Sequence, residues 1–367
     1  MIRIGISTRG LHQGSLAIST IIYQLTKSII ELAPEDVEFF LYFNDPAYEH
    51  LFSSTIHKRS VKMNNRLVWD HFWLPAKMRA DKIDIALFMK GTIPLSLSCD
   101  AGVIMHDMGY FNSQLQPYKF LETLYMKVMI TRAAGKATKI FTVSEHTRME
   151  VMRILGTDPA KITTIYPDCS PIYKPVTDLE LLERVRKTYG LPARYIFWPT
   201  SLSPRKNIGR ILDVFELLFD QIPQRLVITG GKAWNTKDFF QRVNSDFSDH
   251  IKVLGNVPQE YMPALYTMAD FTLYPSLLEG FGFPILESFR CGRTVLTSNL
   301  ASMPEIAGDA AYLINPYSIE DISTGFLKLA TDENFRHELE EKGVERARLF
   351  SWSETAASIL SGLLTAR

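Results

Sequence analysis

The chain has 367 residues, enough for two domains, and is 46% apolar and 22% charged, the make-up of a soluble globular protein with a full core. Its 40 Lys and Arg balance 40 Asp and Glu, which argues against a dedicated nucleic-acid binder, and Cys99, Cys169 and Cys291 show no C-x-x-C spacing, which gives no support to a zinc site and fits a reducing cytoplasm. No apolar run reaches the roughly 18 residues of a membrane span, and Met1-Ile-Arg-Ile-Gly-Ile-Ser7 reads as a strand rather than a signal peptide.

The predicted elements alternate between strand and helix, which implies parallel sheets. Ile2–Ile6 is a β-rich apolar run. A polar loop through Gly10 and Gly14 follows, then an amphipathic helix from about Ile18 to Leu32. Phe39–Phe43, Ile83–Phe88, Ala101–Met105 and Lys139–Val143 have strand length, and Ser144 reads as a helix N-cap with Glu145 in the first turn. The segment 118–139 mixes Phe120, Leu121, Leu124, Tyr125, Val128 and Met129 with Lys119, Lys127, Arg132, Lys136 and Lys139. Such a helix either covers a sheet face or lies against an anionic membrane surface. After Ile162–Tyr166, three prolines (Pro167, Pro171 and Pro175) mark a connection between domains. A second α/β series runs through Tyr195–Trp198, Leu226–Thr229, Ile251–Leu254, Phe271–Tyr274, Thr294–Thr297 and Ala311–Leu313. A final helix, Ser353 to about Leu364, fits either domain by pattern.

The chemistry concentrates in the second half. In Glu279-Gly-Phe-Gly-Phe-Pro-Ile-Leu-Glu287 two carboxylates flank a turn that enters a helix at Pro284. Gly280 and Gly282 let an anion approach the main chain, and the helix start, near Phe281 and Phe283, offers N–H groups to it. Glu287, one turn into the helix, is placed to take a hydroxyl. An anion between two carboxylates, one of them reaching a hydroxyl, points to a sugar nucleotide. Arg205 and Lys206, in the loop 201–207 beyond the strand at Trp198, suit a diphosphate, with Lys206 expected to be solvated. Gly230, after Leu226–Thr229, serves a tight turn or a ligand contact, and the segment around Val257 offers backbone and an apolar wall to a nucleobase. His106 follows Ala101–Met105 at a strand's carboxyl end, and Asp107 is placed to orient its imidazole. The chain has no G-x-G-x-x-G, no P-loop motif and no Asp-x-Asp, so nicotinamide and P-loop chemistry are disfavoured and no metal is expected to hold the leaving diphosphate.

Taken together, these motifs resemble the retaining glycosyltransferases of the GT-B fold, in the large family four that builds polysaccharides and glycolipids. Glu279 through Glu287 is similar to the family's E-x7-E motif, and Pro204 through Asn207 to its phosphate loop. Ser298 through Glu305 and Ala307 through Ala310 are similar to its downstream signature. His106-Asp-Met108 and Thr142-Val-Ser-Glu145 resemble its first-domain motifs. The chain departs from the family at Ser201, where many members have Arg, and in the first loop, where Gly14 alone matches a usual Gly-Gly pair.

The resemblance implies two Rossmann-like domains with parallel sheets facing across a cleft. An acceptor-side domain would span 1–168, a donor domain 169–351, and a terminal helix of about 352–367 would pack back on the first. It further implies a metal-independent hexosyltransferase using UDP-glucose or GDP-mannose, without cofactor, on a saccharide or lipid-linked saccharide acceptor. Such an enzyme would be cytoplasmic, with membrane contact through 118–139. Glu287 would bind the ribose, Glu279 would lie near the donor sugar, Gly282 and Phe283 would contact the diphosphate or sugar, and Lys206 would neutralise the β-phosphate. His106 would touch the donor sugar, and Gly14 would lie near the phosphates. The fold also hosts sugar-nucleotide epimerases, and a binding protein without turnover is a further alternative.

Overall fold

A computed structural model of the chain describes residues 1–11, 17–113, 119–231, 237–245 and 249–365. The chain divides into two compact units. The first comprises Met1–Pro167 with Ser351–Arg367, and the second Asp168–Phe350.

Among the described residues the first unit holds seven parallel strands: β1 Ile2–Ser7, β2 Val37–Phe43, β3 His57–Ser60, β4 Ile85–Phe88, β5 Asp100–Met105, β6 Lys139–Thr142 and β7 Ile162–Thr164. Their order is β3-β2-β1-β4-β5-β6-β7. All four residues of β4 are buried, as expected where helices cover both faces of a parallel sheet. β3, His-Lys-Arg-Ser, has no apolar run to announce it. It forms as an edge, pairing with Phe40–Phe43 of β2, where charged side chains are tolerated and protect the open ladder.

The helix at Ala17–Glu31 packs against the final helix, Trp352–Thr365. That final helix fits closely onto the first sheet. A Cβ on Gly102 of β5 would lie 2.5 Å from Leu363 Cδ2, and one on Gly362 would lie 2.8 Å from the Phe141 ring. The helix in the 118–139 segment spans Phe120–Lys136, while Lys139 opens β6. Met126, Met129, Ile130, Ala133 and Ala134 face the core, whereas Phe120, Leu121, Leu124 and Val128 are exposed. Ser144 caps the following helix, its Oγ accepting from the Thr147 N–H at 3.1 Å.

Among the described residues the second unit holds six parallel strands: β8 Tyr195–Pro199, β9 Arg225–Thr229, β10 Ile251–Gly255, β11 Phe271–Tyr274, β12 Val295–Ser298 and β13 Tyr312–Ile314, in the order β10-β9-β8-β11-β12-β13. β8 is buried throughout, and Ile196, Trp198, Leu226, Ile228 and Phe271 join helix residues such as Phe215 and Phe326 in one core. In each sheet the strand order reverses beside the strand that begins the unit, at β1/β4 and at β8/β11. Open α/β sheets bind ligands beyond the carboxyl ends of strands at such a reversal. Among the described residues no helix is long and apolar enough to cross a membrane.

Candidate functional site

The loops leaving β8 and β11 meet at the reversal of the second sheet. After β8 the chain makes a short 3-10 turn, Pro204–Lys206, and Asn207 takes a left-handed conformation (φ 63°) before the helix at Ile208–Leu218. After β11 it runs through Pro275 to Gly282 and enters the helix Phe283–Arg290. The two loops are tied by the Leu277 N–H donating to the Arg205 carbonyl at 2.8 Å.

These loops build an ion cluster. Lys206 Nζ lies 2.7 Å from Glu279 Oε1 and Arg205 Nη1 3.0 Å from Glu279 Oε2. Lys206 also donates to the Tyr274 hydroxyl at 3.1 Å. The Lys206 and Glu279 side chains are only 8% and 9% exposed, so Lys206 is a buried partner and not the solvated cation expected from sequence. The strand ladder carries the loop inward, and Glu279 compensates the charge there. Burial pushes the Glu279 carboxyl upward, but Lys206 and Arg205 outweigh it and hold it below the usual carboxylate range. Burial draws the Lys206 ammonium below its ordinary value, opposed by Glu279 and reinforced by Arg205. Two cations face one carboxylate, so the cluster keeps a net positive charge and can take an anion.

Beside it lies the turn that begins the Phe283–Arg290 helix. Ser302 Oγ donates to the carbonyls of Glu279 (3.0 Å) and Phe281 (2.8 Å), which fixes the turn. Gly282 caps the helix at φ 108°, a conformation side chains rarely adopt. Pro284 has no N–H, and that of Ile285 is bonded to the Gly282 carbonyl at 2.9 Å, which leaves Gly282 and Phe283 to present N–H groups. Gly280 lies in the same turn. The Phe281 ring is buried against Phe283 and Phe350, at 4.9 and 5.8 Å between centroids, and so anchors the turn.

Glu287 accepts from the Tyr266 hydroxyl at 2.6 Å and is also bonded by Tyr173. Burial raises its pKa to about 7, with the two tyrosines pulling the other way. The carboxyl is therefore poised between neutral and ionised near neutrality, and the ionised form accepts a pair of hydroxyls. Tyr266, Tyr173 and Tyr274 escape sequence reasoning. The one signal was Tyr274, a polar-tipped ring ending β11.

Gly230 follows β9 with φ 122°, and a Cβ there would meet the Thr200 carbonyl oxygen at 1.7 Å, so close backbone packing accounts for the glycine. Val257 is half-buried, just beyond the edge strand β10. Gly14 lies outside the described residues. His106 stands in the first unit, beyond β5. Its Nε2 lies 2.7 Å from the Met89 carbonyl, whereas Asp107 Oδ1 accepts the Gly109 N–H at 2.8 Å. The imidazole is thus oriented by Met89 and not by Asp107, whose carboxylate is bonded within its own turn. Burial lowers the His106 pKa and favours the neutral ring. Among the described residues no group of three or more His, Cys, Asp or Glu is arranged to hold a metal ion.

Residues 185–346, which contain the whole ion cluster, match the family model of glycosyl transferases group 1. This stretch is a group 1 glycosyltransferase domain. O-antigen chain mannosyltransferase B of Escherichia coli is 32% identical over 240 residues, covering 65% of this chain and 63% of that protein. The serotype-specific mannosyltransferase WbdA of Escherichia coli is 28% identical over 233 residues, covering 62% of this chain and 29% of that one. The chain thus spans less than two thirds of the length of either relative. In structure it is similar along its whole length to a sucrose-phosphate synthase from Thermosynechococcus elongatus (TM-score 0.76, 16% identity, 100% of both chains), and its fold is of the GT-B class.

Proposed function

We propose that the chain is a retaining, metal-independent hexosyltransferase that moves mannose from a nucleotide-diphosphate sugar to a saccharide or lipid-linked saccharide. The observation that carries this reading is the buried Lys206–Glu279–Arg205 cluster, with its surplus positive charge, beside the Gly280–Phe283 turn. Lys206, Arg205 and the helix start stabilise the charge that develops on the leaving diphosphate. Glu279 holds both cations in place and lies toward the donor sugar. Glu287 takes the ribose hydroxyls, His106 contacts the sugar, and Gly230 and Val257 line the nucleoside side. The two mannosyltransferase relatives favour mannose, and hence GDP-mannose over UDP-glucose as donor, in the synthesis of a surface polysaccharide such as O-antigen.

In the reaction, the bond from the anomeric carbon to the β-phosphate oxygen breaks as the acceptor oxygen bonds to that carbon on the same face. The acceptor's proton passes to the departing phosphate. A neutral His106 and a pre-organised cation pair suit this course, because neither must reorganise as charge moves.

The test is transfer from GDP-mannose, UDP-glucose, dTDP- and ADP-sugars in EDTA, with and without saccharide acceptors, and the product's anomeric configuration read by NMR. Retained configuration from one donor in EDTA is expected. Inversion, loss of turnover in EDTA, or conversion of donor to its epimer without acceptor overturns the reading.

Peripheral membrane contact belongs to the same reading. Phe120 and Leu121 are 79% and 77% exposed, Leu124 and Val128 share their side of the helix, and Lys127 lies near them. Sedimentation with vesicles of anionic phospholipid should pull the chain down. Equal recovery with neutral vesicles would remove the electrostatic part, and no recovery would remove the contact.

A further inference from the structure

The reversal of the first sheet is also charged. Arg9 follows β1 and Lys90 follows β4, the two strands at which the order turns. Between them, a single π-helical turn at Trp69–Trp73 delivers Asp70 and His71, with Trp69 fully buried as its anchor. Such turns interrupt an α-helix at a cost in hydrogen bonding and recur at functional positions. Arg9 Nε lies 2.8 Å from Asp70 Oδ1, with side chains 13% and 10% exposed, and Arg66 Nε lies 3.4 Å from Asp70 Oδ2. His71 takes the Leu95 N–H on Nδ1 (3.3 Å), which assigns the ring proton to Nε2, 2.9 Å from the Tyr125 hydroxyl.

The charges do not balance. Arg9, Arg66 and Lys90 face one carboxylate, Asp70, and burial keeps His71 toward neutral. Among the described residues no hydrogen bond or ion pair engages the Lys90 ammonium. Its pKa falls to about 8, through burial and then through Arg9 and Arg66. Lys90 is half-buried, and a partly desolvated cation without a partner weakens the fold; such groups mark binding sites more than stabilising ones. The recess lined by Ser7, Arg9, Asp70, His71, Lys90 and Thr92 has about 10 Å³ of free space, room for one oxygen-sized group.

We propose that this recess receives a phosphate ester of the acceptor, one oxygen entering between Lys90 and Arg9, with Arg66 held beside Asp70. A surplus of two positive charges matches a phosphate dianion better than the single charge of a carboxylate. The leaving diphosphate of the donor has its own cation pair in the second unit. Tyr125 and Met126 of the Phe120–Lys136 helix reach His71 and Arg66 (2.9 and 3.1 Å), and the other side of that helix is exposed and apolar. A lipid chain leaving the phosphate would have that surface within reach. The word acceptor rests on the glycosyltransferase reading; the anion site does not.

The test is calorimetric titration of mannose 1-phosphate into the full chain saturated with GDP, beside the neutral methyl α-mannoside. The variants are Lys90→Met, Arg66→Gln and, as control, Lys206→Met. Lys90→Met and Arg66→Gln should each weaken binding of the sugar phosphate about tenfold or more, leave the neutral glycoside unchanged, and differ from Lys206→Met, which should bind the sugar phosphate as wild type does. Lys90→Met should also melt higher than wild type at pH 7, because it removes an unpaired, half-buried charge. That gain should vanish by pH 11, where the lysine is neutral folded or unfolded.

Parallel titration with vesicles carrying a polyprenyl phosphate, against phosphatidylcholine alone, names the source. Loss in Lys90→Met confined to the vesicle arm assigns a lipid phosphate, and loss confined to the sugar phosphate a soluble one. No phosphate binding by wild type in either arm, wild-type affinity in both variants, or an equal loss in Lys206→Met overturns the proposal. Failure of wild type to bind any nucleotide would overturn the glycosyltransferase reading instead and leave the Lys90 result standing.

Discussion

The two sheets reverse their strand order at equivalent places, and the loops leaving the reversal are cationic in both, yet the charges are settled differently. In the second unit Arg205 and Lys206 share Glu279, one cation on each carboxylate oxygen. In the first, Asp70 engages Arg9 and Arg66 while Lys90 stands by without an ion-pair partner among the described residues. A folded protein tolerates the first arrangement cheaply, because paired charges recover much of their desolvation cost. It carries the second at a loss. Burial alone therefore does not set what a cation costs the fold; the sum of charge within its cluster does.

That contrast can be broken most severely at Glu279. Glu279→Ala leaves Lys206 buried with no counter-charge, and removing one partner of a buried pair costs about 3–5 kcal/mol. Thermal unfolding should show a large fall in melting temperature, where Lys90→Met in the first unit shows a rise. Equal and opposite signs would sharpen the comparison, and matching signs would end it. Lys206→Met comes next. It keeps the volume and leaves Glu279 paired with Arg205, so the fold should persist while transfer falls by roughly 10²–10³, the effect of deleting one donor to a developing anion. Turnover within a fewfold of wild type, measured as nucleotide release, would remove Lys206 from the chemistry.

Glu287 provides a pH-dependent test. Its pKa is raised from 4.5 to about 7, so ionising it costs the folded state. The cost is absent below about pH 4.5, where the carboxyl is protonated folded or unfolded. It grows up to about pH 7 and stays constant above. Glu287→Gln, which never ionises, should match wild type in acid and exceed it at pH 8 by up to roughly 3 kcal/mol. Its nucleotide affinity should fall, because the amide accepts hydroxyls less well than a carboxylate. A melting difference independent of pH would show that Glu287 does not carry that shift.

The smallest effect is expected on the helix surface. Phe120→Ser with Leu124→Ser should change stability by no more than about 0.5 kcal/mol per site, since both are exposed, while recovery on anionic vesicles drops. Unchanged recovery would separate that helix from any membrane.

Much of this was legible in the chain. Strands such as Tyr195–Trp198 and Phe271–Tyr274 announce themselves because buried parallel strands need unbroken apolar runs, and the alternation with helices follows from the connections such strands require. The Glu279–Glu287 turn was visible because proline fixes φ at a helix start, while glycine readily takes the positive φ that the turn requires at Gly282. β3 was not legible, since an edge strand of His, Lys, Arg and Ser carries no period. Nor was Asp70, held in a π-helical turn that has no sequence signature, or Tyr266 and Tyr173, which reach Glu287 from distant positions.

By itself, then, the sequence determined the α/β class, the two series of strands and the residues able to carry phosphate chemistry, because backbone preference and apolar periodicity are local properties. Only the tertiary structure decided that Lys206 is buried against Glu279, that Met89 and not Asp107 orients His106, and that Lys90 lies among cations with too little negative charge. Each of these depends on which groups from far along the chain share one low-dielectric neighbourhood. Electrostatic energy is set by that distance and burial, which no stretch of sequence contains.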